Sequence, residues 1–222
     1  MKRETIILCD SNICIYRTLA LIEPPIRPRD ILDKVLTLIA ELTNNNYACK
    51  IFVTDVVHEE LLNNEVLFDE VFNFCVKKLH WKKHSYKIQV LSRKSEKSIN
   101  KFFEKRHLNR ETLDKIKNYG LHIPRINNFY LKHPEKLEKI TLDKIRHLKP
   151  FDSQRKLKNR QNNLPEESDR FLLAQAIELN DLFKQDICIF SNDNDFLEFK
   201  DEILSEFGIK ILSPEDIINL EE

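Results

Sequence analysis

The sequence predicts an α/β fold with a central, mainly parallel sheet, interrupted by a basic and mostly helical insertion. Four short, continuous apolar runs are typical of strands buried on both faces of a parallel sheet. Helical apolar patterns lie between these runs, and this alternation is typical of α/β proteins. Residues 77–163 contain 25 Lys and Arg but only 8 Asp and Glu. We therefore expect a single domain over residues 1–222, formed by 1–76 and 164–222 around the insertion 77–163.

The first half of the domain is predicted to contain two strands, over residues 5–9 and 50–54. A helix is expected between them over residues 30–45, where apolar side chains recur at helical spacing. A second helical pattern begins near Asp55 and extends as far as Leu79.

Within the insertion, short helices are predicted over residues 95–105, 110–118 and 133–148. Residues 86–91 alternate weakly between apolar and polar side chains, which is compatible with a strand. Residues 151–164 are polar and rich in asparagine, and they are predicted to form a mobile loop.

After the insertion, a helix is predicted to start at Pro165, because proline suits the first position of a helix. Two further strands are predicted over residues 186–190 and 208–212, and a closing helix over residues 214–220.

The composition excludes several classes of function. Gly120 and Gly208 are the only glycines, too few for a Walker loop or a GxGxxG dinucleotide turn. No apolar run approaches the roughly 20 residues that span a membrane, so no membrane partner is expected. The apolar run at residues 5–9 is too short for the core of a signal peptide, and the five cysteines form no CxxC pair. We expect reduced cysteines and a cytoplasmic location.

Acidic residues follow two of the predicted strands directly. Asp10 follows the first strand, and Asp193 and Asp195 follow the third. Ligands of open α/β sheets bind outside the carboxyl ends of the strands. A single aspartate at such a position is commonly a turn residue or a helix cap, so these acids suggest a site without establishing one.

Two acids on predicted helices strengthen this interpretation. Asp169 heads the apolar stripe that continues through Leu172 and Leu173. A helix dipole favours an acid in the first turn but does not explain why it faces the core. On the helix that begins near Asp55, Glu60 falls within the apolar stripe and Glu59 lies outside it, provided that the helix is unbroken.

A cluster of these carboxylates predicts a divalent cation. Two carboxylates 4 Å apart repel by about 4 kcal/mol at an effective dielectric constant of 20. Oxygen ligands select Mg²⁺ or Mn²⁺ over zinc. Metals held in this way activate water and stabilise a phosphate under in-line attack, so the chemistry indicated is phosphodiester hydrolysis.

The acids lie in four segments: Ile-Leu-Cys-Asp10-Ser-Asn12, Val-Val-His-Glu-Glu60-Leu, Ser-Asp169-Arg-Phe-Leu-Leu-Ala and Phe-Ser191-Asn-Asp193-Asn-Asp195-Phe. In this order the segments resemble the PIN domain, a family of metal-dependent nucleases that includes the VapC toxins and RNA-processing enzymes. The resemblance covers about residues 4–76 and 164–220, whereas compact toxin-like members lack an insertion of this size.

The resemblance implies a three-layer α/β/α fold and a set of site residues. Its metal ligands would be Asp10, Glu60, Asp169 and Asp193. Asp195 would assist catalysis, and Asn12 and Ser191 would support the cluster by hydrogen bonds.

The insertion is predicted to hold RNA, single-stranded or structured. Its net charge of +17, against −17 for the rest of the chain, would release counterions on binding phosphates. Phe102 and Phe103 are expected in a core, whereas Trp81 and Tyr130 are left open as stacking platforms for bases. The predicted RNA contacts are Arg155, Lys156, Lys158, Arg160 and Trp81.

The sequence therefore predicts a Mg²⁺- or Mn²⁺-dependent endoribonuclease. Two alternatives stay open: a catalytically inactive RNA-binding or scaffold protein on the same fold, and a structure-specific DNA nuclease of the flap-endonuclease type. A toxin role, a homodimer and an antitoxin or accessory partner are also left open.

Overall fold

A computed structural model describes residues 5–22, 34–37, 39–40, 49–62, 86–146, 148 and 150–216. Residues 34–37 and 39–40 are helical, as predicted, but the remainder of the helix expected over 30–45 lies outside the described residues. The same holds for the continuation of the second helix beyond Leu62, for Trp81, and for most of the closing helix expected over 214–220.

The described strands form one parallel sheet, in the order β2-β1-β3-β4. They are β1 (Thr5–Cys9), β2 (Cys49–Phe52), β3 (Asp186–Phe190) and β4 (Lys210–Leu212). Thr5 pairs with Cys49 on one side and with Asp186 on the other, so β1 and β3 are the central strands. Their apolar runs are almost entirely buried, which confirms the prediction of an α/β fold with a parallel sheet.

Two helices follow the first two strands closely in the chain. Helix α1 (Ser11–Ile22) follows β1 immediately, and α2 (Asp55–Leu62) follows β2. Helix α1 was not predicted from the sequence, although this helix buries Ile13, Cys14 and Leu19.

The described part of the insertion is helical, and two predictions made for it from the sequence are wrong. It contains α3 (Tyr86–Arg106), α4 (Arg110–Lys115), α5 (Ile123–Leu131), α6 (Pro134–Ile145) and α7 (Pro150–Asn159). Residues 86–91 are the start of α3 rather than a strand, because short apolar alternation does not distinguish a strand from a helix. Residues 151–164 are not a mobile loop: α7 starts at Pro150, and a 3₁₀ turn (Gln161–Asn163) follows it.

The chain returns to the sheet through α8 (Glu167–Phe183), and α9 (Asn194–Leu197) and α10 (Lys200–Phe207) lie between β3 and β4. Helix α8 does not start at Pro165, because Glu166 is still extended, with φ −59° and ψ 160°. Gly208 ends α10 with a left-handed φ of 71°, which moves the start of β4 two residues beyond the prediction.

The insertion packs directly against the sheet-bearing part of the chain. Phe129 lies edge-on to Phe199 and Phe207, with ring centroids 6.0 and 5.1 Å apart. The Tyr130 hydroxyl donates to the Asp195 carbonyl at 3.1 Å, and Tyr130 is only 1% exposed. Tyr130 is therefore a core residue rather than a platform for bases, and Phe102 is buried as predicted.

Two further findings concern the sequence predictions. The described cysteines, Cys9, Cys14, Cys49 and Cys188, are all free thiols. Among the described residues, no helix combines the length and the apolar character needed to cross a bilayer.

Candidate functional site

The carboxyl ends of the two central strands place Asp10 beside the loop that follows β3. Cys9 pairs with Phe190 at the end of the ladder. The Asp10 amide then donates to the Phe190 carbonyl at 3.0 Å, which extends the pairing by one residue. Parallel pairing thus brings together acids that lie 183 positions apart in the sequence, Asp10 and Asp193.

Asp10 is fixed by hydrogen bonds to both of its carboxylate oxygens. Oδ1 accepts from the Ser11 amide at 2.7 Å, and Oδ2 accepts from Asn12 Nδ2 at 2.6 Å and from Ser191 Oγ at 2.5 Å. Asp10 is 2% exposed. Burial raises the pKa of Asp10 to about 6, because burial, with a smaller contribution from the Asp193 charge, outweighs the effect of these hydrogen bonds.

Asn12 and Ser191 also join the loop after β1 to the loop after β3. Asn12 Oδ1 accepts from the Asn192 amide at 3.0 Å, and Ser191 Oγ accepts from the Asp193 amide at 2.9 Å. Both side chains therefore hold Asp10 in place and shape the loop that carries Asp193.

Glu60 faces this cluster from α2, and its neighbour Glu59 does not. Glu59 is exposed and Glu60 is half-buried, as the helical phase predicts. Burial and the charges of Asp10 and Glu166 raise the pKa of Glu60 to about 7, although a hydrogen bond to Ser11 lowers it.

Asp169 approaches from the first turn of α8. Burial and the neighbouring Asp193 carboxylate raise the pKa of Asp169 well above its usual value, while Lys144 acts in the opposite direction. The carboxylates of Asp10, Glu60, Asp169 and Asp193 therefore influence one another from four separate elements.

Asp193 and Asp195 differ in their partners. Asp193 caps α9, because its Oδ1 accepts from the Asp195 amide at 2.8 Å. Burial raises the pKa of Asp193, but the Lys144 ammonium and this hydrogen bond outweigh it and lower the pKa overall. Asp195 is fully buried, and its Oδ2 lies 2.5 Å from Lys144 Nζ.

Arg160 is the second partner of Asp195. This position contradicts the prediction that Arg160 contacts RNA. Arg160 is 1% exposed and forms a two-pronged ion pair with the Asp195 carboxylate, with Nη2 to Oδ1 at 2.9 Å and Nη1 to Oδ2. Its remaining donors reach Thr141 Oγ1 and the Asn163 carbonyl, each at 3.0 Å. A guanidinium that is buried and donates four hydrogen bonds in the interior does not reach an RNA phosphate.

Lys144 was missed by the sequence analysis, although its spacing carries a signal. It lies on the same face of α6 as the buried Leu137, Ile140 and Thr141. A lysine on a buried stripe requires an acidic partner. Lys144 Nζ meets that need at 2.8 Å from Asp193 Oδ2 and 2.5 Å from Asp195 Oδ2.

The other predicted RNA contacts lie on the surface or are paired. Arg155 and Lys158 are exposed on α7. Lys156 is half-buried and forms an ion pair with Glu166 at 2.5 Å.

Comparison with known proteins shows no relative: no protein-family model matches the chain, and no curated protein or solved structure is significantly similar to it.

The donor chemistry of the site fits a hard divalent cation. Five carboxylates meet two cationic side chains directly, Lys144 and Arg160, and the nearby Lys156 is itself paired with Glu166. Among the described residues, negative charge is therefore in excess when all the acids are ionised. Oxygen donors in such excess favour Mg²⁺ or Mn²⁺. Within the described part of the chain, however, no three His, Cys, Asp or Glu side chains are already placed around one ion position.

Proposed function

We propose that this chain is a PIN-like, metal-dependent endoribonuclease with a three-layer α/β/α body. One observation carries the proposal: carboxylates from four elements converge at the carboxyl ends of β1 and β3, and burial together with mutual repulsion raises the pKa of Asp10, Glu60 and Asp169. Ionising such a cluster is unfavourable without a ligand, and perturbed carboxylates in one cleft are typical of functional sites.

The residues of the site would have different roles in catalysis. A bound Mg²⁺ or Mn²⁺ would activate water and stabilise the charge that develops on the phosphate. Asp10, Asp169 and Asp193 would hold the ion, and Asn12 and Ser191 keep Asp10 in one orientation. Burial and the charges of Asp10 and Glu166 raise the pKa of Glu60 to about 7 in the absence of metal, and Glu60 would act beside the ion as a general acid or base.

RNA is proposed as the substrate because of the asymmetric charge. The basic insertion packs beside an acidic site that would otherwise repel a polyanion. Exposed cations such as Arg155 and Lys158 would bind phosphates independently of sequence.

The proposal is tested by incubating the protein with RNA and with DNA of the same sequence, in Mn²⁺, Mg²⁺ or EDTA. We expect cleavage of RNA in the presence of metal and none in EDTA. Cleavage that persists in EDTA would exclude a metal-dependent mechanism, and cleavage of DNA alone would favour the flap-type nuclease.

Neighbouring glutamates on α2 provide a matched pair of variants. Glu60→Gln is expected to reduce the cleavage rate by at least about 100-fold, since it removes a group that transfers protons at the site. Glu59→Gln removes the same charge from an exposed position and should leave the rate within about twofold of wild type. RNA binding in EDTA should be unchanged in both. The reverse pattern would assign the site to Glu59.

A second candidate is an inactive nucleic-acid-binding protein in which Lys144 takes the place of the metal. The observation that favours it is the contact of the Lys144 ammonium with both Asp193 and Asp195. In this case the lysine supplies the positive charge that the carboxylates require, and no cation binds.

Lys144→Met distinguishes the two candidates. In EDTA the variant should unfold at a lower temperature than wild type, with a loss of about 2–4 kcal/mol, because two buried carboxylates lose a partner. If the site holds metal, Mn²⁺ should raise the melting temperature of Lys144→Met more than that of wild type, because the ion no longer competes with the ammonium. If Lys144 replaces the metal, Mn²⁺ should leave the melting temperature of wild type unchanged and should raise at most that of Lys144→Met, whose carboxylates have lost the ammonium. Lys139→Met, at an exposed position of α6, is the matched control.

A further inference from the structure

Helix α3 carries four exposed lysines along one face. Lys94, Lys97, Lys101 and Lys105 are separated by three, four and four residues, which places them in a single row. The row spans about 16 Å at 1.5 Å per residue, and successive lysines are about one helical turn, 5.4 Å, apart. We call this row the α3 lysine row.

The opposite face of α3 is fixed against α1 and α2. The Arg17 guanidinium lies 4.0 Å from the centre of the Phe102 ring. His58 stacks on Phe103 with ring centroids 3.6 Å apart, and its Nε2 lies 3.1 Å from Asn100 Oδ1. These contacts hold the helix in one rotation about its axis, so the lysine row faces solvent.

The C-terminal end of α3 lies at the same edge of the sheet as the carboxylate cluster. The Val53 amide, just beyond β2, donates to the Arg106 carbonyl at 2.9 Å, and Val53 also bridges to His107. Since all strands are parallel, the residues after β2 lie at the edge where Asp10 follows β1. The lysine row therefore begins beside this edge and extends away from it.

The α3 lysine row has no carboxylate partner in the part of the chain that the structure describes. Among the described residues, none of the four lysines forms an ion pair, whereas Lys115, Lys136 and Lys200 each pair with a carboxylate. Like charges three and four residues apart destabilise a helix by about 0.2–0.5 kcal/mol per pair. A bound polyanion would convert this repulsion into attraction.

We propose that the α3 lysine row binds the phosphates of single-stranded RNA and leads the strand to the carboxylate cluster, an inference that rests on the proposed nuclease function. Lysines one turn apart provide one ammonium for each of several successive phosphates in an extended strand. A single strand is favoured because Asp10 and Glu60 are buried or half-buried, which leaves little room for a duplex. A membrane surface is not favoured, since the apolar face of α3 is already covered by protein.

The test measures RNA binding in EDTA, where metal-dependent cleavage does not occur. The row variant carries Lys→Gln at positions 94, 97, 101 and 105. The control variant carries Lys→Gln at four other exposed positions, 117, 132, 139 and 210. The probe is a fluorescent oligouridine, titrated at several salt concentrations, with oligothymidine and a duplex RNA as parallel probes.

The row variant is expected to bind oligouridine at least about tenfold more weakly than the control variant. Loss of four phosphate contacts should also reduce the slope of log K against log salt by about 3, at 0.7 per phosphate on a single strand. Equal affinities of the two variants would overturn the proposal. So would stronger binding of wild type to the duplex than to oligouridine. A third outcome would also overturn the proposal: wild type is oligomeric in sedimentation, the row variant is monomeric, and the two bind RNA equally. The row would then bind the acidic surface of a second copy.

A further measurement separates this inference from the proposed function. The row variant should hydrolyse bis(p-nitrophenyl) phosphate with Mn²⁺ at the wild-type rate, because this small diester does not reach along α3. If no variant hydrolyses any substrate but the row variant still loses RNA affinity, the nuclease function is wrong and the binding surface stands. If wild type cleaves RNA and the row variant binds it normally, the binding surface is wrong and the nuclease function stands.

Discussion

Replacing Arg160 by methionine is expected to lower the free energy of unfolding by about 3–5 kcal/mol, the usual effect of removing one partner from a buried ion pair. Asp195 is fully buried, and its carboxylate would be left with Lys144 as its cationic partner. Thr141 Oγ1 and the Asn163 carbonyl would also lose their donor. Denaturant unfolding at neutral pH in EDTA measures the effect.

The matched control is Lys158→Met, at an exposed position of α7, which should change the free energy of unfolding by less than about 0.5 kcal/mol. Combining Arg160→Met with Asp195→Asn should be less destabilising than the sum of the two single changes, because the double variant no longer buries a poorly paired charge. Equal stability of Arg160→Met and Lys158→Met would show that the ion pair does not hold the insertion against the α9 loop.

Asp10→Asn is expected to reduce metal-dependent RNA cleavage by at least about 100-fold, since it removes a charged group at the centre of the site. The amide is nearly isosteric, and its oxygen still accepts a hydrogen bond, so the fold should persist. The measurement is the single-turnover cleavage rate with Mn²⁺. Asp181→Asn, an exposed position on α8, removes the same charge elsewhere and should cleave at the wild-type rate. Wild-type activity of Asp10→Asn would remove Asp10 from the proposed mechanism.

The same variant has a defined effect on stability as a function of pH. The pKa of Asp10 rises from 3.8 to about 6 on folding. A raised pKa means that the folded state holds the proton more tightly, so the contribution of Asp10 to stability is present at low pH and is lost as pH rises through about 6. In EDTA, the stability of Asp10→Asn relative to wild type should therefore be about 1–2 kcal/mol greater at pH 8 than at pH 5. A pH-independent difference would show that burial does not perturb Asp10.

The sheet and part of the site could be predicted from sequence because local patterns determine them. Continuous apolar runs identified β1 and β3, and parallel pairing then placed Asp10 beside the loop that carries Asp193. The helical phase separated Glu60 from Glu59, since the angle between adjacent residues does not depend on tertiary contacts.

The cationic half of the site could not be predicted in the same way. Arg160 lies in a polar stretch whose composition is typical of a loop, and its burial depends on Asp195, a residue of a different segment. Lys144 lies on a buried stripe, but its local sequence does not identify the acids that it contacts. The start of α3 was missed because six weakly alternating residues do not distinguish strand from helix, whereas packing of the full helix against α1 and α2 does.

The hydrogen bond from Ser191 to Asp10 also concerns how the protein is made. Its two residues are 181 positions apart, and the central strand β1 has no β3 neighbour until residues 186–190 have left the ribosome. During synthesis, Asp10 is therefore present before Ser191, Asp193 and the cations of the insertion have been made. A nascent or truncated chain that ends before Asp195 therefore lacks part of the carboxylate cluster, so the cluster can assemble only after residue 195 has been synthesised.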